Sequence, residues 1–212
     1  MQRATQRAAR AAEWHNAVTM ALYEPRYQIE QRLGRVELRR YAPYAVAQVE
    51  VAGDAGQAGR EAFGILAGYI FGRNRGARAL DMTAPVTQAA TAARLPMTAP
   101  VTQAACAGGY VVQFVLPDGL RAADAPEPLD PRVQLRDVAA GLVAVLRYSG
   151  RWTQANYRSH LDELQATLRQ AQRGWHGEPT LARYNPPYTP WLLRRNEVWL
   201  RLDEPRPHRP PR

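Results

Sequence analysis

Val36-Glu-Leu-Arg39 is echoed further along the chain by Val133-Gln-Leu-Arg136. Carried forward from these two points without a gap, Ala42 falls on Ala139, Val46-Ala47 on Val143-Ala144, and Gly53 on Gly150. In both places stretches that read as strands lead to a turn and then to an apolar stripe of helical period. Each half therefore reads strand, strand, helix, strand. One such unit cannot cover its own sheet face, so the two halves are expected to share a core. The expected fold is α+β with a pseudo-two-fold repeat. It forms a single domain over residues 23–202, between an N-terminal extension (1–22) that could be helical and a tail (203–212) too rich in Pro and Arg to pack.

A second repeat lies between the two halves. Met-Thr-Ala-Pro-Val-Thr-Gln-Ala-Ala is written at Met82–Ala90 and again at Met97–Ala105. Its alternation suits extended backbone, and its Pro belongs at a sheet edge, a strand start or a bulge. Two copies so close together cannot build a stacked array. They read as two extended segments framing one place, or simply closing a sheet.

The remaining elements follow from periodicity. Tyr27–Leu33, Arg35–Tyr41 and Ala45–Val51 read as strands, as do Tyr110–Leu116, Val133–Val138, Leu142–Tyr148 and Asn196–Leu202. Arg60–Phe71 reads as the first helix, with Phe63, Leu66, Ala67 and Ile70 on its buried stripe and Gly72 ending it. Gln154–Arg173 reads as the second. Pro117–Pro131 reads as a loop, Pro179–Trp191 is rich in proline and aromatics, and its part Tyr184–Trp191 reads as an aromatic loop.

Among 212 residues there is one cysteine, Cys106, which excludes an internal disulfide framework and a cysteine-built metal cluster. The net charge of +9 comes without a single Lys; all 28 basic residues are Arg, several of them near the chain ends. Arg favours carboxylate or phosphate ligands. A basic stripe interleaved with aromatics is missing, so nucleic acid is not an expected partner. No apolar run is long enough to span a bilayer, and the basic N-terminus lacks a signal-type apolar core, so a cytoplasmic location is expected.

Several motifs together resemble the SOUL/heme-binding protein family. They are Val36-Glu-Leu-Arg-Arg-Tyr-Ala-Pro43, Ala67-Gly-Tyr-Ile-Phe-Gly-Arg-Asn74, both Met-Thr-Ala-Pro-Val-Thr segments, Ser149-Gly-Arg-Trp152, Arg183-Tyr-Asn-Pro-Pro-Tyr-Thr-Pro-Trp191 and Arg194-Arg-Asn-Glu-Val198. The duplicated segment is usual for bacterial members. The resemblance implies a twisted, barrel-like antiparallel sheet flanked by two main helices, and reversible, non-covalent binding of heme or another tetrapyrrole. One branch of the family has an axial His where this chain has Arg40; a guanidinium has no lone pair for iron, so that mode does not carry over. The other branch, which suits this chain better, holds heme in an apolar cleft beside the first helix with basic residues near the propionates, and Arg60 matches such a position.

On the first helix Arg60, Gly64, Gly68 and Phe71 follow one another on a face next to the apolar stripe. Two glycines there cost about 1 kcal/mol each relative to Ala. They leave bare backbone for a flat ligand, or equally for close packing. The expected site is Arg60, Phe63, Gly64, Ala67, Gly68 and Phe71, faced by Tyr184, Tyr188 and Trp191 on a proline-stiffened loop that could instead cap the barrel end. Arg73 or Arg75 could also reach a propionate. No axial ligand is assigned: His160, His176, Met82, Met97 and Tyr69 all suit structural roles better. A carrier or buffer is the leading function. A tetrapyrrole-modifying enzyme has little to build on, Asp81 being the one carboxylate near the site. A binder of another hydrophobic small molecule is the third reading.

Overall fold

The computed structural model describes residues 24–53, 55–80, 86–90, 109–185 and 188–203. Nine strands form one antiparallel, curled sheet: β1 (Tyr27–Leu33), β2 (Val36–Tyr41), β3 (Tyr44–Ala52), β4 (Val86–Ala90), β5 (Gly109–Val115), β6 (Gln134–Val138), β7 (Gly141–Tyr148), β8 (Trp175–Arg183) and β9 (Asn196–Leu202). Helix α1 (Ala55–Ile70) follows β3, and α2 (Gln154–Gln170) follows β7. The spatial order is β1-β2-β7-β9-β8-β4-β5-β3-β6.

That order is the sequence repeat in three dimensions. Leaving β1 aside, β2-β7-β9-β8 mirrors β6-β3-β5-β4, and the two groups meet where β8 pairs with β4. The register agrees residue by residue: Leu38 faces Ala144 and Arg39 faces Val143 in one ladder, while Leu135 faces Ala47 and Arg136 faces Val46 in the other. The halves exchange their leading strands, since β2 joins the second half's sheet and β6 joins the first's. Each repeat is therefore strand, strand, helix, strand, strand, one strand longer than periodicity indicates.

Both helices lie on one face. Val86 on β4 packs with the α1 core and Leu181 on β8 with the α2 core, and the pairs Val86↔Arg183 and Gln88↔Leu181 put all four residues on that face. Helix α1 covers β3 and β5 through Ala58, Ala62, Leu66, Tyr69 and Ile70; α2 covers β7 and β9 through Leu164 and Leu168. Each fully buried Leu or Ile contributes about 1.5–3 kcal/mol. The opposite face carries an aromatic cluster of Tyr41, Val143, Val145, Ala182, Tyr184 and Trp199.

Several expectations need correction. The buried stripe of α1 is rotated from the expected one: Leu66 and Ile70 are in the core, but Phe63 is 44% exposed and Ala67 only partly buried. Strand β8 is one that periodicity does not indicate, and it takes in Pro179–Arg183; Pro179 is tolerated because the register shifts between His176 and Thr180, with Gly177 at positive φ. Helix α2 stops short of Arg173 because Gln172, at φ 52, closes it: the Arg173 N–H donates to the Leu168 carbonyl (2.9 Å) and the Gln172 N–H to that of Arg169 (3.1 Å). The repeat's first copy supplies β4, which starts right after Pro85 and is central to the sheet. The second copy, the N-terminal extension, Cys106, Asp81 and the tail lie outside the described residues.

Helix α1 ends as expected at Gly72 (φ 106), where the Arg73 N–H donates to the Gly68 carbonyl (2.8 Å) and the Gly72 N–H to that of Tyr69 (3.2 Å). Buried Asn74 locks the exit. Its amide donates to the carbonyls of Tyr69 (3.0 Å) and Arg78 (2.7 Å), and its Oδ1 accepts the Arg78 N–H (3.0 Å). Asn74→Ala is expected to cost about 2–3 kcal/mol, since it strips partners from buried backbone groups; urea unfolding measures this, and a loss below about 0.5 kcal/mol contradicts it.

Candidate functional site

The outward side of α1 is bare where the sequence analysis places a ligand. A Cβ built on Gly64 meets nothing within 4 Å. Phe71 is 67% exposed, and Arg60 is exposed. Phe63 leans edge-on against Phe114 of β5, with ring centroids 5.4 Å apart. At Gly68 the space is taken by the Arg73 side chain, whose Cδ lies 3.0 Å from an added Cβ. Arg73 is a flexible cover there, while Arg75 is paired with Glu127 at 2.9 Å.

The aromatic loop divides. Tyr184 is buried on the face away from the helices and does not meet α1. It points inward because Ala182 and Tyr184 continue the alternation that puts Leu181 and Arg183 on the helix face. Its hydroxyl donates to Glu197 at 2.6 Å. Tyr188 is 68% exposed and Trp191 45%, the latter 5.8 Å from the Arg151 guanidinium.

Glu197, fully buried, is the centre of a polar cluster that periodicity does not reveal. It accepts from Arg39 (3.1 Å), Arg195 (2.9 Å), the Tyr184 hydroxyl and the Trp199 indole N–H (2.8 Å). Arg195 also reaches Glu24 (2.5 Å), and Arg39 also meets Glu37 (2.7 Å). Burial beside this carboxylate pushes the Tyr184 and Tyr41 phenols far up, and the Arg39 guanidinium partly offsets the shift at Tyr41. The cluster holds charge but keeps it compensated.

Asn196, one residue earlier, organises the helix face. A row of directly paired residues crosses the sheet there: Tyr148, Asn196, Arg183, Val86, Phe114 and Ala47. Asn196 Oδ1 accepts the Trp152 indole N–H (2.7 Å), its amide donates to the Gly150 carbonyl (3.4 Å), and the Gly150 N–H donates to the Trp191 carbonyl (3.0 Å). Gly150 sits at φ 121, which its motif's glycine permits. The guanidiniums of Arg183 and Arg194 lie 4.8 and 4.3 Å from the Trp152 ring centroid. Beyond Arg194 a groove of about 550 Å³ is lined in part by Arg32, Arg35 and Arg147; Glu37 and Glu163 already compensate Arg32 and Arg35.

Iron ligation finds little support in these side chains. His160 stacks on Tyr148 (centroids 4.1 Å apart), and its Nδ1–H donates to the Asn156 carbonyl (2.7 Å). His176 pairs with Asp203 (2.8 Å). Tyr69 is buried and donates its hydroxyl to the Pro126 carbonyl (2.9 Å). Among the described residues no group of three or more His, Cys, Asp or Glu could hold a metal ion. Met82 and Met97 lie outside them. No helix among the described residues is long and apolar enough to cross a membrane.

Two predictions follow from these clusters. Glu197→Gln should destabilise the protein by about 3 kcal/mol, because Arg39 loses its fully buried counter-charge and keeps only Glu37 at the edge of the cluster, and pairing it with Arg39→Met should recover part of that loss; chemical denaturation of both variants decides it. In alkali, burial pushes the Tyr148 and Tyr157 phenols up to about 12, from 10.0. Their native pKa values exceed the unfolded ones, so stability is complete below pH 10 and declines as pH rises from there through 12. Near-ultraviolet phenolate absorbance should show exposed tyrosines ionising first and these two only late or with unfolding; a single uniform transition with the fold intact contradicts this.

Comparison with known proteins places the chain. Among solved structures it is similar to the EcmrR C-terminal domain (TM-score 0.59, 10% identity, 84% of this chain and 98% of that one). It is also similar to an uncharacterized conserved protein from Listeria innocua (0.55, 10%, 80% and 92%) and to a hydrolase from Listeria innocua (0.52, 12%, 85% and 94%). At such identities these likenesses show the fold alone. No curated protein matches the sequence. A family model described as SOUL heme-binding protein matches residues 22–201. The chain belongs to the SOUL heme-binding protein family.

Proposed function

We propose that the protein binds heme or a related tetrapyrrole non-covalently on the outward side of α1 and serves as a carrier or buffer in the cytoplasm, with residues 23–202 acting as one unit. The observation that carries this reading is the open backbone at Gly64 between exposed Phe63 and Phe71, with Arg60 at the rim. A soluble protein that leaves two phenylalanines in water along one helix has a surface suited to an apolar partner. A macrocycle lying there covers Phe63, Ala67 and Phe71, and Arg73 swings off Gly68 to admit it. Tyr188 and Trp191 are the exposed aromatics proposed for its second side. Tyr184 is withdrawn from the site, since it lies on the other face.

A bound heme supplies a redox-active iron; the residues named here seat the ring, orient its carboxylates and shield its apolar edge. Seating without a strong axial ligand suits cargo that must leave again.

Hemin titration followed by the Soret band tests the proposal. Saturation at one equivalent is expected. Gly64→Leu, which fills the open strip without touching the core, and Arg60→Ala should each weaken binding about tenfold or more while circular dichroism is unchanged. Transfer of bound hemin to apomyoglobin within minutes supports the carrier role. A flat titration overturns tetrapyrrole binding, and tight binding of another apolar anion at the same strip then assigns the site to that class.

A further inference from the structure

Arg183 is the one described residue with a buried side-chain polar atom that lacks a hydrogen-bond partner: its Nε. Native structures rarely leave such a donor unpaired. The residue lies on the helix face between β4 and β9, opposite Val86 on one side and Asn196 on the other. Its guanidinium rests against Trp152, and Arg194 lies against the same indole. Two like charges thus share one aromatic surface. Burial and the Arg194 charge press the Arg183 guanidinium toward giving up its proton, which an anion would reverse.

The position ties Arg183 to the strip on α1. Gly59 stands over it: a Cβ there would be 3.8 Å from an Arg183 Nη and 3.5 Å from Gln88 Oε1. Phe63, one turn further along α1, packs on Phe114, which is separated from Arg183 only by Val86 of β4. Two strand spacings put Phe114 and Arg183 about 10 Å apart on the same face. The guanidinium therefore lies under the Gly59 end of α1, on the side of the helix where Phe63 meets the sheet.

Resting on the tetrapyrrole reading above, we propose that Arg183 is a second carboxylate-binding residue of this site besides Arg60, taking one propionate of the ligand in a forked hydrogen bond. Arg183 is partly exposed although its Nε is not, so the guanidinium turns outward to meet the carboxylate. That rotation breaks no hydrogen bond at Nε and gives the donor an acceptor. Arg194 strengthens the local field, and Gly59 leaves the approach without a side chain. No covalent step is involved.

The test compares hemin with hemin dimethyl ester, which has the same ring without carboxylates, on wild type, Arg183→Met and Arg183→Lys. Wild type should prefer hemin over the ester about tenfold to a hundredfold, the range of a charge-assisted hydrogen bond. Arg183→Met should cut the preference about tenfold or more by weakening hemin alone, with Arg60 keeping the remainder, and Arg183→Lys should restore part of it. The ligand-free Met variant should melt no lower than wild type, because it removes an uncompensated buried charge; this separates binding from a structural role. Hemin binding that is equal in wild type and Arg183→Met, or equal for hemin and ester in wild type, overturns the assignment and leaves the tetrapyrrole reading standing. If neither ring binds wild type, the tetrapyrrole reading fails, and 3-phenylpropionate then judges Arg183 by the ¹H–¹⁵N signal of its Nε–H. A saturable shift supports carboxylate recognition there, and an unmoved signal overturns it.

Discussion

The buried contact between Arg39 and Glu197 is the constraint on which the architecture closes. Arg39 comes from β2, near the start of the described chain, and Glu197 from β9, its last strand, with β7 between them. Because the repeats exchange their leading strands, β2 must be held within the second half's sheet. A pair with 4% and 0% side-chain exposure does so with little tolerance for misregister, since a slip of one residue would turn Arg39 to the opposite face and leave Glu197 with Arg195 as its one guanidinium. Such a pair is weak evidence for stability as such, and its desolvation is costly. Its value here lies in the number of donors that converge on one carboxylate, which only one arrangement of β2, β8 and β9 satisfies.

Strand alternation turns that constraint into a division of labour. Glu197 and Tyr184 point to the face away from the helices; Asn196 and Arg183, each one residue earlier, point to the helix face. The same short motifs thus build two clusters back to back. The one around Glu197 is compensated throughout, while the one around Asn196 contains Arg183 Nε without an acceptor. Polar groups kept for folding end up paired, and groups kept for a ligand need not be.

This division explains what could be read from the sequence. The repeat at Val36 and Val133 reports the pseudo-two-fold directly, because equivalent positions face equivalent neighbours in both ladders. Strands β1 and β9 were legible to the residue: Val198, Leu200 and Leu202 alternate along β9, and β1 ends at the Gly34 turn, although a bulge between Ile29 and Gln31 interrupts its register. Strand β8 was not, since its bulge and Pro179 imitate a loop, and the end of α2 was not, since Gln172 adopts a conformation usually marked by Gly. On α1, Phe63 was assigned to the core because periodicity identifies apolar faces and does not say which are covered. Tyr184 was grouped with the exposed aromatics of its loop because nothing local tells that it lies in phase with Ala182 on a strand's inner side. The Glu197 cluster was invisible for a further reason: its members are far apart in the chain, and each alone reads as an ordinary surface charge or aromatic.

Arg39, Gly150, Trp152, Tyr184, Asn196 and Glu197 all belong to the short segments by which the family is recognised, and all make contacts that hold the sheet together. Their presence argues for the fold more than for the ligand. The proposed ligand contacts are residues whose local cost the fold does not explain: Gly64, open where Ala would make a better helix, Phe63 and Phe71 left in water, and Arg183 short of an acceptor. Each is unfavourable in the free protein, and on the proposed reading the same event, the arrival of a flat apolar anion, would relieve them together. A site of the proposed kind would gain affinity without strong individual bonds and would leave an intact fold when the ligand departs, which is what the proposed carrier role requires.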